Sequence, residues 1–334
     1  MKTFIQFLVA CLIAQAIVAQ PKITFFTPNF GPVGTRVTIK GTNLGANPAD
    51  NIVYFGATKA TVIAASTTSL TVIVPSGATF SPITVTANNL TAYADNPFIT
   101  TFNGGGLAFD STSFAPKTDF IGGDPFGSNG VCIGDLDGDG KPELVVVDNK
   151  VNYDGNSIAV LKNISSPGIT AFALKVDFIT GLSPQSVTFG DVDGDGKPDL
   201  LVANYFDHSV SILRNTSTVG NISFDPKVDF DMGNGYSRNV AINDIDGDGK
   251  PDIAVGKGGN GFSLMRNTST PGAISFDARI DYQIIVGAEK IALADMDGDH
   301  KPDIVTVYGK ISTFRNISSP GFIAFDSKVD FSAI

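Results

Sequence analysis

The chain has 334 residues and a formal net charge of -10, from 33 acidic and 23 basic residues, with no tryptophan, two histidines and two cysteines. No basic run offers a footprint for nucleic acid, and two cysteines exclude a disulfide-rich scaffold. Sixteen of the 33 acids fall in four short loops, so the other charges sum to +6; the acidity reports those loops and does not identify a partner.

In chain order, Met1 and Lys2 precede an apolar stretch from Phe4 to Ala14, and small residues follow at Ala14, Ala16 and Ala19. This pattern predicts a secretory signal over residues 1–19, with Gln20 first after cleavage at Ala19; Ala14-Gln-Ala16 offers a second site. Leu8-Val-Ala-Cys11 has the shape of a lipobox, but Cys11 sits inside the apolar core rather than at its polar end, so lipid attachment is not expected. The mature chain then has one thiol, Cys132, in the apolar run Gly130-Val-Cys-Ile133, where a buried small hydrophobe is expected. No second apolar segment is long enough to span a bilayer, so the expected location is secreted or cell-surface.

Residues 21–102 read as short alternating strands, among them Arg36-Val-Thr-Ile-Lys40, Val53-Tyr-Phe55 and Leu70-Thr-Val-Ile-Val74, separated by Gly, Pro and Asn turns. About seven strands in some eighty residues is the count of an immunoglobulin-like sandwich. These stretches resemble the IPT/TIG domain, assigned here to residues 20–102. Without a cysteine pair or tryptophan, its core must rest on Val, Ile and Phe. Asn103-Gly-Gly-Gly106 then starts a flexible linker, residues 103–113, to a repeated region over 114–334.

Four copies of one acidic loop dominate that region: Asp135-Leu-Asp137-Gly-Asp139-Gly-Lys141-Pro-Glu143, Asp191-Val-Asp193-Gly-Asp195-Gly-Lys197-Pro-Asp199, Asp244-Ile-Asp246-Gly-Asp248-Gly-Lys250-Pro-Asp252 and Asp295-Met-Asp297-Gly-Asp299-His300-Lys301-Pro-Asp303. Carboxylates at positions 1, 3, 5 and 9 of one turn repel unless a cation sits among them. Calcium is the expected occupant, because it takes six to eight oxygens in flexible geometry, and the Lys carbonyl at position 7 adds a backbone ligand. An EF-hand would need a Glu at position 12, where the first loop has Val146. The acid at position 9 followed by an apolar strand instead resembles the FG-GAP/VCBS repeats of integrin-alpha-like propellers. Position 6 favours a positive φ, so His300, standing where the other loops have Gly140, Gly196 and Gly249, makes loop four the departure from the pattern.

Successive loops start 56, 53 and 51 residues apart, the period of a propeller blade. In the second repeat the expected strands are 186–189, 200–203, 210–213 and 222–230. A further signature recurs as Phe114 to Phe120, Phe172 to Phe178, Phe224 to Phe230, Phe276 to Tyr282 and Phe325 to Phe331. Five such segments bracket four loops, which leaves a truncated chain, a compact four-bladed ring, or an open array whose edge strand pairs with another chain. The expected fold is therefore all-β: a sandwich followed by four-stranded propeller-type blades in an incomplete or open array. Asn163-Ile-Ser165, Asn215-Thr-Ser217, Asn267-Thr-Ser269 and Asn316-Ile-Ser318 read as turns rather than glycan acceptors.

Few residues are available for catalysis, since most Asp is committed to the loops and His208 and His300 are expected in turns. The resemblance implies a ligand face opposite the calcium loops, where Tyr153, Tyr205, Tyr236 and Tyr308 could stack on an extracellular glycan or protein. The expected function is a non-catalytic calcium-binding adhesion or ligand-binding module of a bacterial surface. The alternatives are a structural spacer, or an accessory part of a secreted polysaccharide-degrading system.

Overall fold

A computed structural model describes residues 20–101, 116–120, 129–148, 155–259, 261–284 and 287–331. The signal segment, the linker and Tyr153 lie outside these residues. The described residues contain no α-helix, and none of their helices is long and apolar enough to cross a membrane.

Seven strands of the sandwich are β1 (Lys22–Thr27), β3 (Arg36–Thr42), β4 (Ile52–Phe55), β5 (Thr58–Ser66), β6 (Ser69–Ile73), β7 (Pro82–Ala87) and β8 (Leu90–Pro97). They run in the spatial order β1-β3-β6-β5-β4-β7-β8, and β2 (Phe30–Gly31) pairs separately with β9 (Ile99–Thr100). A register shift between Val62 and Ala64 lets β5 pair with β6 along one half and with β4 along the other, the bend expected of a bulge. Alternate residues point inward, so Val37, Ile39, Val53, Phe55, Leu70, Val72, Ile83 and Val85 form a buried core. Phe55 meets Phe98 edge-on at 5.3 Å. Val, Ile and Phe dominate this core, as the sequence required.

Among the described residues four antiparallel sheets of four strands follow. Blade 1 contains β10 (Val131–Gly134), β11 (Glu143–Asp148), β12 (Ser157–Leu161) and β13 (Val176–Ile179). Blade 2 contains β14 (Pro184–Gly190), β15 (Asp199–Asn204), β16 (Ser209–Leu213) and β17 (Val228–Asp231). Blade 3 contains β18 (Tyr236–Asn243), β19 (Asp252–Gly258), β20 (Gly261–Met265) and β21 (Ile280–Tyr282). Blade 4 contains β22 (Lys290–Ala294), β23 (Asp303–Val307), β24 (Ile311–Phe314) and β25 (Val329–Phe331).

Every residue of β15 and β16 is buried, because the middle strands of a blade are covered on both faces. Three apolar clusters join blade 1 to 2, 2 to 3 and 3 to 4. Among the described residues no apolar cluster joins blade 4 back to blade 1.

The expected strand 222–230 is a correction: β17 begins only at Val228. Ile222 to Asp225 instead folds back on the end of β16, with bridges Asn215 to Phe224 and Thr218 to Asn221. The same arch recurs in all four blades. It absorbs Phe172, Phe224, Phe276 and Phe325, the first Phe of the last four signatures, and the last aromatic of the preceding signature packs edge-on against it; Phe114 lies outside the described residues. These pairs are Phe120 with Phe172 at 5.1 Å, Phe178 with Phe224 at 4.9 Å, Phe230 with Phe276 at 5.0 Å and Tyr282 with Phe325 at 5.8 Å. The basic residue of the signature sits just before the fourth strand and pairs with the acid two residues on, as Lys175 does with Asp177 and Lys227 with Asp229. Exposed pairs of this kind add little stability.

Candidate metal centre

Each acidic loop joins the first and second strands of its blade. The pairing of Gly190 with Asp199 and of Asn243 with Asp252 closes the turn at its base. Ligand oxygens of Asp135, Asp137 and Glu143, of Asp191, Asp193 and Asp199, of Asp244, Asp246 and Asp248, and of Asp295, Asp297 and Asp299 lie within 4.8 Å of one another in each set.

The loop backbone sets these side chains. The position 1 carboxylate accepts the N–H of position 6, from Gly140 to Asp135 at 3.1 Å, Gly196 to Asp191, Gly249 to Asp244 and His300 to Asp295, each of these three at 2.9 Å. Position 3 accepts the N–H of position 5, as Asp193 does from Asp195 at 3.1 Å. Position 5 accepts the N–H of the Lys at position 7, from Lys141, Lys197, Lys250 and Lys301, at 2.8 to 3.0 Å. The acid at position 9 accepts the N–H of position 2 on one oxygen, 2.9 Å in all four loops. Its other oxygen accepts the N–H of Asn163, Asn215, Asn267 or Asn316 from the end of the third strand.

Burial, more than mutual repulsion, raises the carboxylates. It pushes Asp191, Asp244 and Glu143 up to about 7 and Asp252 to about 8, and holds Asp199 well above the ordinary range. Within this packed environment Asp135 Oδ1 and Asp191 Oδ1 are buried and accept no hydrogen bond. Buried polar atoms are normally paired, and two carboxylate oxygens without donors, beside further carboxylate oxygens, suit a cation. The donor set is all oxygen, the preference of a hard divalent ion. The residues present therefore fit calcium.

Sequence reasoning missed a basic residue at each loop. Arg214 donates from Nε to Asp193 at 2.6 Å and from Nη2 to Asp195 at 2.7 Å, and Arg266 spans Asp246 and Asp248 at 2.8 Å each. Arg315 spans Asp297 and Asp299, and Lys162 reaches Asp137 at 2.6 Å. The signal was present as a Lys or Arg directly before Asn163, Asn215, Asn267 and Asn316, the Asn that ends each third strand.

Those Asn residues are bolts between blades. Asn215, Asn267 and Asn316 are fully buried. Their amides donate both to the Pro carbonyl of their own loop and to position 2 of the preceding blade's loop: Asn215 to Leu136, Asn267 to Val192 and Asn316 to Ile245. Each Asn also accepts the N–H of the Ser two residues on. This is the turn role expected of the tripeptides. The arch beyond them caps the preceding blade's position 3, with Gly220 donating to Asp137, Gly272 to Asp193 and Gly321 to Asp246.

Loop four is the exposed one. His300 adopts φ 68, the left-handed conformation its Gly counterparts also adopt, and its ring Nδ1 lies 3.2 Å from Asp95 of the sandwich.

Of the tyrosines expected on a ligand face, Tyr205 and Tyr236 stack at 4.3 Å and 7°, with Phe206 edge-on to both. Arg238 lies over the Tyr205 ring at 5.0 Å and pairs with Glu289 at 2.8 Å. Nearby Asn204 Oδ1 and Ser237 Oγ are buried without partners. Tyr308 lies in the equivalent turn of blade 4, partly exposed and outside that stack. His208 holds a turn with φ 49 and its Nδ1 is 3.0 Å from the Gly235 carbonyl. Cys132 is half-buried, and burial pushes its thiol up to about 12.

Residues 21–102 match the IPT/TIG domain family, and residues 191–255 and 244–306 each match the FG-GAP-like repeat. No curated protein matches the chain in sequence. Among solved structures, an auxiliary nutrient binding protein from Bacteroides thetaiotaomicron is similar at 11% identity, covering 92% of this chain and 85% of its own, with a TM-score of 0.31. One of the same description from Bacteroides ovatus gives 13%, 92%, 85% and 0.34 in the same order. A rhamnogalacturonan lyase from Bacillus licheniformis gives 15%, 88%, 65% and 0.37. Likenesses this weak carry no argument about function.

Proposed function

Because the chain carries an IPT/TIG domain followed by FG-GAP-like repeats, we propose that it is an exported, non-catalytic module whose repeats hold calcium and whose aromatic face binds an extracellular glycan or protein. In each loop the carboxylates at positions 1, 3, 5 and 9 and the carbonyl at position 7 would hold the ion. The role of calcium is structural: when bound, it supplies the positive charge that four crowded carboxylates need.

The observation that carries this reading is the pair of buried, donorless oxygens on Asp135 and Asp191, repeated in loops of one design. The stacked Tyr205 and Tyr236, with Phe206 beside them, support the ligand face. Aromatic faces with a few polar groups are the usual lining of a site that takes a sugar or a side chain.

Calorimetric titration of residues 20–334 with calcium, with thermal melts before and after chelation, tests the metal. Three or four ions and a chelator-sensitive melt are expected; no uptake and an unchanged melt would make the loops solvated turns. A glycan and protein array probed in calcium tests the face. Binding that persists when Tyr205 and Tyr236 are both changed to Ala would remove it from the aromatic pair.

A further inference from the structure

The sandwich does not stand clear of the repeats: it lies across the acidic loops. The Asp135 N–H donates to the Ala57 carbonyl at 2.9 Å in loop one. In loop two, Asn89 at the tip of the β7–β8 hairpin donates to the Gly194 carbonyl at 2.7 Å, and the Tyr54 hydroxyl reaches the Gly196 carbonyl at 3.3 Å. In loop three, the Thr91 N–H donates to the Gly249 carbonyl at 2.7 Å and the Gln20 amide to Asp244 at 2.9 Å. Asp95 meets His300 in loop four. The packing is close enough to dictate loop composition, since a Cβ on Gly196 would lie 1.9 Å from Ile52 and one on Gly249 would lie 3.0 Å from Leu90.

We propose that this contact is a cation-dependent domain latch: the IPT/TIG domain docks on loops one to three while they hold their ions and lets go when the ions are removed. The inference rests on the calcium reading above. The sandwich brings neutral groups such as Ala57, Tyr54, Asn89 and Leu90, with Lys59 beside loops one and two and Lys22 beside loop three, against loops that each contain four carboxylates. Covering charge with neutral protein is unfavourable unless the charge is compensated. The Lys of each loop and the Lys or Arg that reaches it from the third strand cancel only part of it, and a divalent ion cancels two charges more. Coupling is reciprocal, so docking must also tighten the ions.

Leu90→Asp sets a carboxylate against loop three without touching a loop residue, and Asn89→Gly removes the loop-two bond while keeping the positive φ that Asn89 adopts. The double variant in calcium is expected to show a larger radius of gyration by small-angle X-ray scattering, an unchanged sheet signal by circular dichroism, and calcium affinity weakened about fivefold or more, the low end of typical coupling. The wild type should expand likewise in chelator. Wild-type affinity in the double variant, or an unchanged radius in both arms, would overturn the latch while leaving the calcium reading intact. A wild type that takes up no calcium would sink both.

Discussion

A carboxylate buried beside other carboxylates holds its proton, and that gives the loops a pH dependence of definite sign. Asp191, Asp244 and Glu143 sit at about 7 and Asp252 at about 8, through burial first, against roughly 4 in an unfolded chain. The folded state therefore binds protons more tightly than the unfolded one. The stability from this source is complete near pH 4 and is lost as pH rises through 7 to 8. Melts in chelator should fall between pH 5 and pH 8 by roughly 5 °C or more, whereas melts in calcium should not, since the ion takes the protons' place. A chelated melt that climbs over that window would contradict the burial. At this scale the carboxylates were legible, because four copies in register leave little room for chance. Arg214 and Arg266 were not, because nothing in the spacing says that the end of the third strand returns to the loop.

At the scale of the element, the arch after the third strand does what no single strand does, since it ties one blade to the next. Asn267 donates to Val192 of the preceding blade and to Pro251 of its own, and accepts from Ser269. Removing its side chain leaves two buried carbonyls and an N–H unpaired, at roughly 1 to 3 kcal/mol per group. Among the described residues the side-chain amide of Asn163 in blade 1 donates to Pro142 alone. Asn267→Ala should therefore cost about 3 kcal/mol or more, and Asn163→Ala less by at least about 1 kcal/mol, both read from urea unfolding in calcium. Equal costs would show that the bond between blades contributes nothing. The strand pattern was readable because alternation and period survive in sequence. The fourth strand was drawn too long because Ile222 and Phe224 keep strand-like alternation inside the arch, where single bridges replace a ladder.

Across the whole molecule the four loops are chemically alike and physically unequal, and the inequality comes from neighbours rather than from loop sequence. Loops one to three each lie under the sandwich and receive an N–H from the arch of the following blade. Loop four has no such cap on Asp297 among the described residues, and Arg315 holds that carboxylate below the ordinary range. The sandwich contacts escaped sequence reasoning because they run through backbone carbonyls and isolated side chains such as Asn89, which form no motif. Preformed, covered ligands lose less freedom on binding an ion than exposed ones do, so the calcium isotherm should be biphasic. Three ions should bind at least roughly tenfold more tightly than the fourth, a difference of about 1.4 kcal/mol. Asp297→Asn should alter only the weak phase. Asp193→Asn should remove one tight ion and lower the melt in calcium, because Asp193 also anchors Arg214 and accepts Gly272 from blade 3. Four equivalent sites, or an Asp297 variant that weakens the tight phase, would mean that affinity is set within each loop and that the packing of blades and sandwich has no part in it.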